Sequence, residues 1–225
     1  MVSSHKAQPV PEGQSVAWRR KLNSVRLLAI DTTSEFGSLA LAEDNRVLEE
    51  VAMDSPDGFA HVMFPEIEAL LARHKLKITD IDGFAAAAGP GSFTGVRVGL
   101  TAAKGLAEAT GRKVIAVSNL QAVASFGTRA LRAPVIDARR GDIFGAVYDA
   151  GLRLVAPEVV MKLEDFLSTL PAGAEVIREA PKRLAGAIAR IAAGLLEEGL
   201  EQDPAEIDAN YVRRSDAELM WRDKV

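Results

Sequence analysis

The sequence has no cysteine, no excess of positive charge, and no apolar run near the ~20 residues of a membrane-spanning helix. The lack of cysteine excludes disulfide bonds and thiolate metal sites, and it leads us to expect a reducing, cytoplasmic location. The net charge of −4 disfavours nucleic-acid binding by this chain alone, because neutralising phosphates takes clustered lysine and arginine. We therefore expect a globular protein with no membrane contact.

The length of 225 residues suits one large domain or two small ones. Residues 1–24 are polar, aperiodic and contain prolines, so they are predicted to form a disordered tail. The remaining pattern predicts a first lobe over residues 25–130 and a smaller second lobe over residues 131–204. Residues 205–225 are predicted to pack back on the first lobe.

The first lobe begins with three short strands joined by tight turns, which predicts antiparallel neighbours. Helices and strands then alternate, because the apolar spacing changes between the helical and the extended period. The predicted order βββαβαβα comprises strands at Val25–Ile30, Ser38–Ala42, Val47–Val51, Gly83–Ala88 and Val114–Val117, with helices at Phe59–His74, Ser92–Thr110 and Leu120–Ala130.

The pattern restarts in the second half of the chain. A strand again ends at an aspartate, Asp137, as the first strand ends at Asp31. Coincidence is one explanation, since α/β chains often repeat a strand followed by a turn. The explanation we favour is a duplicated ribonuclease-H-like α/β fold, as in actin, sugar kinases and heat-shock ATPases, with a mixed five-stranded sheet flanked by helices in each lobe. The last helix is predicted at Pro181–Leu200.

The most specific motif is the glycine-rich stretch from Gly89 to Leu100. Ser92 is placed to cap the following helix; an anion site at that helix start is the less favoured alternative. The interior glycines each cost roughly 1 kcal/mol relative to alanine, so they need a compensating reason. Small residues on one face allow close approach of another element, either in this chain or in another. That face comprises Gly95, Gly99, Ala102 and Ala103, and Leu106 continues it.

Gly89–Leu100 closely resembles the GPGSFTGxRxG motif of the TsaB (YeaZ) family, which belongs to the ASKHA superfamily and is related to the TsaD, glycoprotease-like (peptidase M22-like) family. The resemblance extends from Val25 to Glu218. Further matching stretches are Asp31–Ser34, Asp80–Gly83, Ala103–Leu106, Asp137–Asp142 and Tyr211–Arg214.

This resemblance implies a scaffold role in threonylcarbamoyl transfer to adenosine 37 of tRNA. The expected partners are the catalytic paralogue TsaD and the ATPase TsaE, with tRNA bound only through the complex. For the isolated chain, the monomer and a homodimer through the same two helices both stay open. The two helices of the first lobe would contact TsaD. The partner-binding residues expected on that basis are Phe59, Val62, Met63, Ser92, Gly95, Val96, Gly99, Leu100, Ala102, Ala103 and Leu106.

The same comparison indicates missing catalytic ligands. The paralogue holds its metal with two histidines spaced i and i+4 on a helix, and Asn119 and Val123 align with those positions. Valine cannot ligate a metal. The three histidines, His5, His61 and His74, form no such pair. We therefore predict no catalytic residues and no metal site in this chain.

Nucleotide binding has weak support. Asp31 and Asp137 lie where related ATPases place phosphate- or magnesium-handling residues, and Thr32, Arg139 and Arg140 are their neighbours. No Gly-Gly adenosine loop follows in the second lobe. We expect that this chain requires no cofactor. Whether ATP or ADP binds at the interface with the partner stays open. The alternative function is an ATP-dependent small-molecule kinase or a metallopeptidase-like enzyme of the same fold.

Overall fold

The computed structural model describes residues 24–210 and Val212. The predictions for the N-terminal tail up to residue 23, for Tyr211, and for residues 213–225 lie outside this part of the chain. Within it, no helix has both the length and the apolar character that crossing a membrane requires.

The first lobe is built on a mixed five-stranded sheet with the order β3-β2-β1-β4-β5. Its central strand β1 is antiparallel to β2 and parallel to β4. The predicted element order βββαβαβα is confirmed. The elements are β1 (Arg26–Asp31), β2 (Gly37–Glu43), β3 (Arg46–Met53), α1 (Met63–Arg73), β4 (Gly83–Ala87), α2 (Phe93–Thr110), β5 (Lys113–Val117) and α3 (Asn119–Ala124).

Helix α2 begins and ends as its sequence predicts. The Ser92 hydroxyl accepts a hydrogen bond of 3.3 Å from the N–H of Gly95, which satisfies one of the free donors at the helix start. Gly111 follows the last turn with φ 63°, the left-handed conformation that glycine adopts at little cost. Helix α3 is shorter than predicted, because the chain turns after Ala124 to enter the next strand at Leu131.

The second lobe repeats the two antiparallel pairings of the first. Its elements are β6 (Leu131–Arg139), β7 (Asp142–Asp149), β8 (Leu154–Lys162), α4 (Leu163–Thr169), β9 (Glu175–Ile177) and α5 (Ala185–Glu197). The sheet order is β8-β7-β6-β9, with β9 parallel to β6. The prediction of five strands in this lobe is wrong for the described residues, since the chain after β9 forms only α5 before it returns to the first lobe.

The first sheet is covered on both faces, which explains why β1 is buried along nearly its whole length. Leu28 and Ile30 face a core shared with α1 and α2. Leu27 and Ala29 face the opposite core, which α5 supplies. Helix α5 is shorter than the predicted Pro181–Leu200 and is buried over most of its length, because it packs across the first sheet and against α3.

Candidate functional site

The small-residue face of α2 packs inside the chain. A Cβ atom on Gly95 would overlap the carbonyl oxygen of Thr32, and one on Gly99 would lie 2.6 Å from the Thr32 hydroxyl. Ala102 and Ala103 are buried on the same sheet. The interpretation that this face serves a contact with another protein is therefore corrected: its glycines let α2 approach the end of β1.

Most of the other predicted partner-binding residues also belong to the chain's own core. Val62 and Leu106 are half-buried against that core, and Ser92 is exposed but caps α2. The fully buried members of the predicted set are therefore not available to a protein partner, whereas Ser92, Val62 and Leu106 retain exposed surface. The residues buried within the chain are Phe59, Met63, Val96, Gly99, Leu100, Ala102 and Ala103.

The outward surface of the two helices carries exposed aromatic rings. Phe64 is 50% exposed on α1 and Phe93 is 42% exposed on α2. The Arg97 guanidinium lies 3.8 Å from the centroid of the Phe93 ring, one helical turn away. We call this surface the outer helix face; its exposed residues are Phe64, Pro65, Glu68, Ala69 and Ala72 on α1, and Phe93, Thr94, Arg97, Thr101, Gly105, Glu108 and Ala109 on α2.

The sequence held a signal for this face that the prediction did not use. That signal is the position of Phe64 at the edge of the buried stripe, which Met63, Ile67, Leu70 and Leu71 form. Phe64 is about 100° around the helix from Met63 but only about 20° from Leu71, so the spacing makes Phe64 a candidate boundary residue and does not by itself fix its exposure. The exposure of the ring is a finding of the structure.

A buried polar network lies where β1 ends. The Asp31 Oδ1 atom accepts bonds from the Thr33 N–H at 2.9 Å and from the Thr33 hydroxyl at 2.6 Å. The Asn119 amide donates to the Thr33 hydroxyl at 2.6 Å and accepts from the Gly89 N–H at 3.0 Å. All three polar side chains are buried. The network ties β1 to the start of α3 and to the glycine-rich motif.

The second carboxylate oxygen of Asp31 is buried and has no hydrogen-bond partner among the residues that the structure describes. Burial raises the pKa of Asp31 above its ordinary value of 3.8; the two bonds from Thr33 oppose this shift, and the charge of Glu50 adds to it. The side chain is therefore poorly placed to carry a negative charge.

The residues predicted as weak nucleotide ligands have other roles or other settings. The Thr32 hydroxyl donates to the Gly95 carbonyl oxygen at 2.6 Å. Asp137 is exposed, unlike Asp31, and accepts from the Arg139 N–H at 2.8 Å in a local turn. Arg139 and Arg140 have φ values of 63° and 55° in that turn and are exposed. Of the two corresponding aspartates, Asp31 is thus buried and Asp137 is exposed to solvent.

The start of α5 is capped by side chains from the first sheet. The Ser38 hydroxyl accepts from the Ala185 N–H at 3.2 Å, and the Glu50 carboxylate accepts from the Gly186 N–H at 3.0 Å. Glu50 thus occupies the position where a helix start would attract an external anion. The adjacent cleft, of about 530 Å³, mixes both charges; its lining includes Phe36, Asp54, Lys182 and Arg183.

A metal does not fit the positions that align with the paralogue's histidines. The side-chain oxygen and nitrogen of Asn119 both already make hydrogen bonds within the chain. Val123 is buried in an apolar core. His61 lies 3.4 Å from the Ser55 hydroxyl, whereas His74 lies 2.8 Å from Glu49. Within residues 24–210, no cluster of three His, Cys, Asp or Glu side chains is arranged for metal binding.

Residues 56–198 match the family model described as "TsaD: tRNA N6-adenosine threonylcarbamoyltransferase". The Bacillus subtilis (strain 168) protein named "tRNA threonylcarbamoyladenosine biosynthesis protein TsaB" is 33% identical over 149 residues, which cover 64% of this chain and 65% of that protein. The protein of the same name from Escherichia coli (strain K12) is 38% identical over 130 residues, 55% of each chain. The chain belongs to this family, as a member of its TsaB/YeaZ group.

The YeaZ likeness extends to the fold. A crystal structure of a Pseudomonas aeruginosa protein, described as uncharacterized with similarity to peptidase YEAZ, superposes with a TM-score of 0.71 and 25% identity. It covers 84% of this chain and 100% of that chain. The two lobes are therefore the ribonuclease-H-like lobes of the ASKHA fold. The sequence matches to the two curated TsaB proteins span 65% and 55% of their lengths.

The TsaB/YeaZ chain is also related to a named transferase. A Methylocapsa acidiphila protein named "tRNA N6-adenosine threonylcarbamoyltransferase" is 35% identical over 121 residues, which cover 44% of this chain and 34% of that protein. The part matched to the family model contains α1, α2, and both Asn119 and Val123. The outer helix face, Asn119 and Val123 thus lie inside the part matched to the family model.

Proposed function

We propose that this chain is a non-catalytic scaffold subunit in tRNA threonylcarbamoyladenosine biosynthesis. It binds the catalytic paralogue TsaD through the outer helix face, while TsaD transfers threonylcarbamoyl to adenosine 37 of tRNA. TsaE and tRNA join through the complex, in the cytoplasm. The names of the curated TsaB relatives support the pathway.

The observation that carries the proposed contact is the pair of exposed rings on α1 and α2. Both helices pack on the same face of the first sheet, so their outward surfaces point the same way. Phe64 and Phe93 are each about half exposed, and Arg97 stacks on Phe93. Aromatic residues and arginine dominate the binding energy of protein interfaces. A pair of helices from TsaD, with apolar residues that pack against Phe64 and Phe93, would fit such a surface.

The proposal of a non-catalytic role rests on which side chains, among the described residues, could hold a metal ion or a phosphate group. Asn119 and Val123 stand at the positions that the resemblance aligns with the two histidines of the paralogue, and the Asn119 amide is committed to Thr33 and Gly89. The start of α5 carries Glu50, which opposes phosphate binding there. We accordingly propose that the chain needs no cofactor of its own and that any ATP or ADP binds at the interface with TsaD.

The test is the affinity of purified chain for purified TsaD, measured by titration calorimetry. Phe64→Glu and Phe93→Glu should each weaken binding about tenfold or more, because burying an unpaired charge in place of an aromatic anchor costs roughly 2 kcal/mol. Phe36→Glu is the control, since Phe36 is 38% exposed, belongs to neither α1 nor α2, and has its ring centroid 4.3 Å from the Lys182 ammonium. Unchanged affinity in both helix variants contradicts the proposed face.

Light scattering on the isolated chain separates the heterodimer from a homodimer. If the outer helix face also joins two copies, Phe64→Glu should convert the dimer to a monomer, and added TsaD should compete with self-association. A dimer that persists in both helix variants would place self-association on another surface.

A further inference from the structure

The segment after α5 crosses from one lobe to the other; we call residues 201–210 the strap. It starts on the edge of the first sheet, where Gln202 and Val114 exchange two backbone hydrogen bonds of 3.0 and 3.4 Å. Ile207 is 3% exposed in the core formed with α1 and α2. The Lys104 ammonium of α2 donates to the Ile207 carbonyl oxygen at 3.0 Å. The strap is therefore anchored in the first lobe.

The end of the strap reaches the second lobe. The Asn210 N–H donates to the carbonyl oxygen of Ala88 at 2.8 Å, just before the glycine-rich motif. The Asn210 side-chain amide donates to the Glu158 carboxylate on β8 at 2.6 Å. Val212, two residues on, packs against a cluster that joins Leu120 and Ala124 of α3 to Phe144 and Tyr148 of β7. One asparagine thus bonds both lobes at once.

Glu158 collects donors from three parts of the molecule. Its Oε2 atom accepts from Asn210, and its Oε1 atom accepts from the Tyr148 hydroxyl at 2.7 Å and the Ser118 hydroxyl at 2.5 Å. Ser118 caps α3 after the last strand of the first sheet, whereas Tyr148 is on β7. Hydrogen bonds to an ionised carboxylate are about twice as strong as neutral ones. Burial raises the pKa of the Tyr148 hydroxyl, which therefore stays a donor.

We propose that Glu158 is the acceptor of an interlobe latch, which holds the strap and fixes the angle between the two lobes. Ser118, Tyr148 and Asn210 are the donors of this latch. Losing the carboxylate leaves three donors competing for fewer acceptors, and the Asn210 side chain then loses its bond to β8. The latch opens locally, while both sheets remain folded.

The latch also links the second lobe to α2. The strap contacts that helix through Lys104, and its Asn210 carbonyl oxygen packs close to Gly89 in the turn that precedes it. If α2 carries the contact with TsaD, latch opening changes the position of that contact surface. This consequence rests on the proposed function, whereas the latch itself does not.

Amide hydrogen exchange on the full chain tests the latch without any partner. Glu158→Gln weakens the hydrogen bond that the Asn210 side chain donates to residue 158, so the end of the strap should open more often. The exchange rate of the Asn210 backbone N–H should therefore rise about tenfold. The Gln202 amide and the β1 amides should change less than about twofold, because their anchors are in the first lobe. Glu179→Gln, at an exposed glutamate of the second lobe, is the control for the charge change.

A second variant approaches the latch from the strap. Asn210→Asp sets a carboxylate against Glu158 and should raise exchange at the Val212 amide, which bonds the residue-210 carbonyl oxygen. Unchanged exchange at Asn210 in Glu158→Gln overturns the proposal. So does an equal rise at all core amides, because that outcome indicates global destabilisation. These two exchange results do not measure TsaD binding. The proposed function is therefore tested separately, by the affinity measurement with TsaD.

Discussion

The hydroxyl of Thr32 donates a hydrogen bond of 2.6 Å to the carbonyl oxygen of Gly95, across 63 residues of sequence. This bond joins the end of β1 to the first turn of α2. It forms because Gly95 and Gly99 leave no side chain between the helix and the Thr32 backbone. The interior glycines of α2 thus serve a close approach within the chain.

Gly95→Ala should destabilise the fold by about 3 kcal/mol, since the added methyl group overlaps the Thr32 carbonyl oxygen and forces α2 away from the sheet. The measurement is the free energy of unfolding from urea titration. Gly105→Ala is the control in the same helix, because a Cβ there meets no atom within 4 Å. That variant should gain up to about 1 kcal/mol from helix propensity. Equal stability of the two variants contradicts the packing account.

The sequence was sufficient to predict α2 and both of its ends, because capping and periodicity are local properties. It was not sufficient to identify what faces Gly95 and Gly99. Thr32 is distant in sequence, and a small-residue face looks the same whether its neighbour is internal or belongs to another chain. The residues of the outer helix face were missed for a related reason. The partner-binding residues were predicted mainly on the small-residue face of α2, and the exposed rings of Phe64 and Phe93 were not considered.

Asp31→Asn should alter how stability depends on pH. The pKa of Asp31 is raised in the folded chain, so the folded state binds its proton more tightly than the unfolded state does. The favourable contribution is complete below the ordinary value of 3.8 and is lost as pH rises through the folded pKa. Relative to the wild type, the asparagine variant should therefore be more stable at pH 7 than at acidic pH.

Urea titrations of the wild type and Asp31→Asn at several pH values between about 4 and 7 give this difference directly. Other acids cancel in the comparison because both proteins share them. A difference that stays constant across the range would mean that Asp31 has the same pKa in the folded and unfolded states.

Glu50→Ala should lower the free energy of unfolding by about 1 to 2 kcal/mol, because the buried Gly186 N–H at the start of α5 loses its acceptor. Glu50→Gln keeps an oxygen at that position and should lose less. The comparison by thermal or urea unfolding separates the hydrogen bond from the charge. Equal losses in both variants would indicate that the charge at the helix start is the larger contribution.

The two aspartates show where a duplicated sequence pattern stops being informative. The pattern predicted strand ends at Asp31 and Asp137, and both lie in the terminal parts of their strands. Their burial differs because Asp31 ends the central strand of a sheet covered on both faces, whereas Asp137 lies at an exposed turn. Likewise, Glu158 and Asn210 are ordinary polar residues in the sequence, and only the fold brings them together.

The central claim is that this chain supports the modification of tRNA without carrying out its chemistry. The direct measurement is threonylcarbamoyl incorporation into tRNA, in the presence of ATP and the threonylcarbamoyl donor, by the purified chain alone, by TsaD with TsaE, and by all three proteins together. The account predicts no product from the chain alone and a clear gain when it joins TsaD and TsaE. Modified tRNA formed by the chain unaided would contradict it.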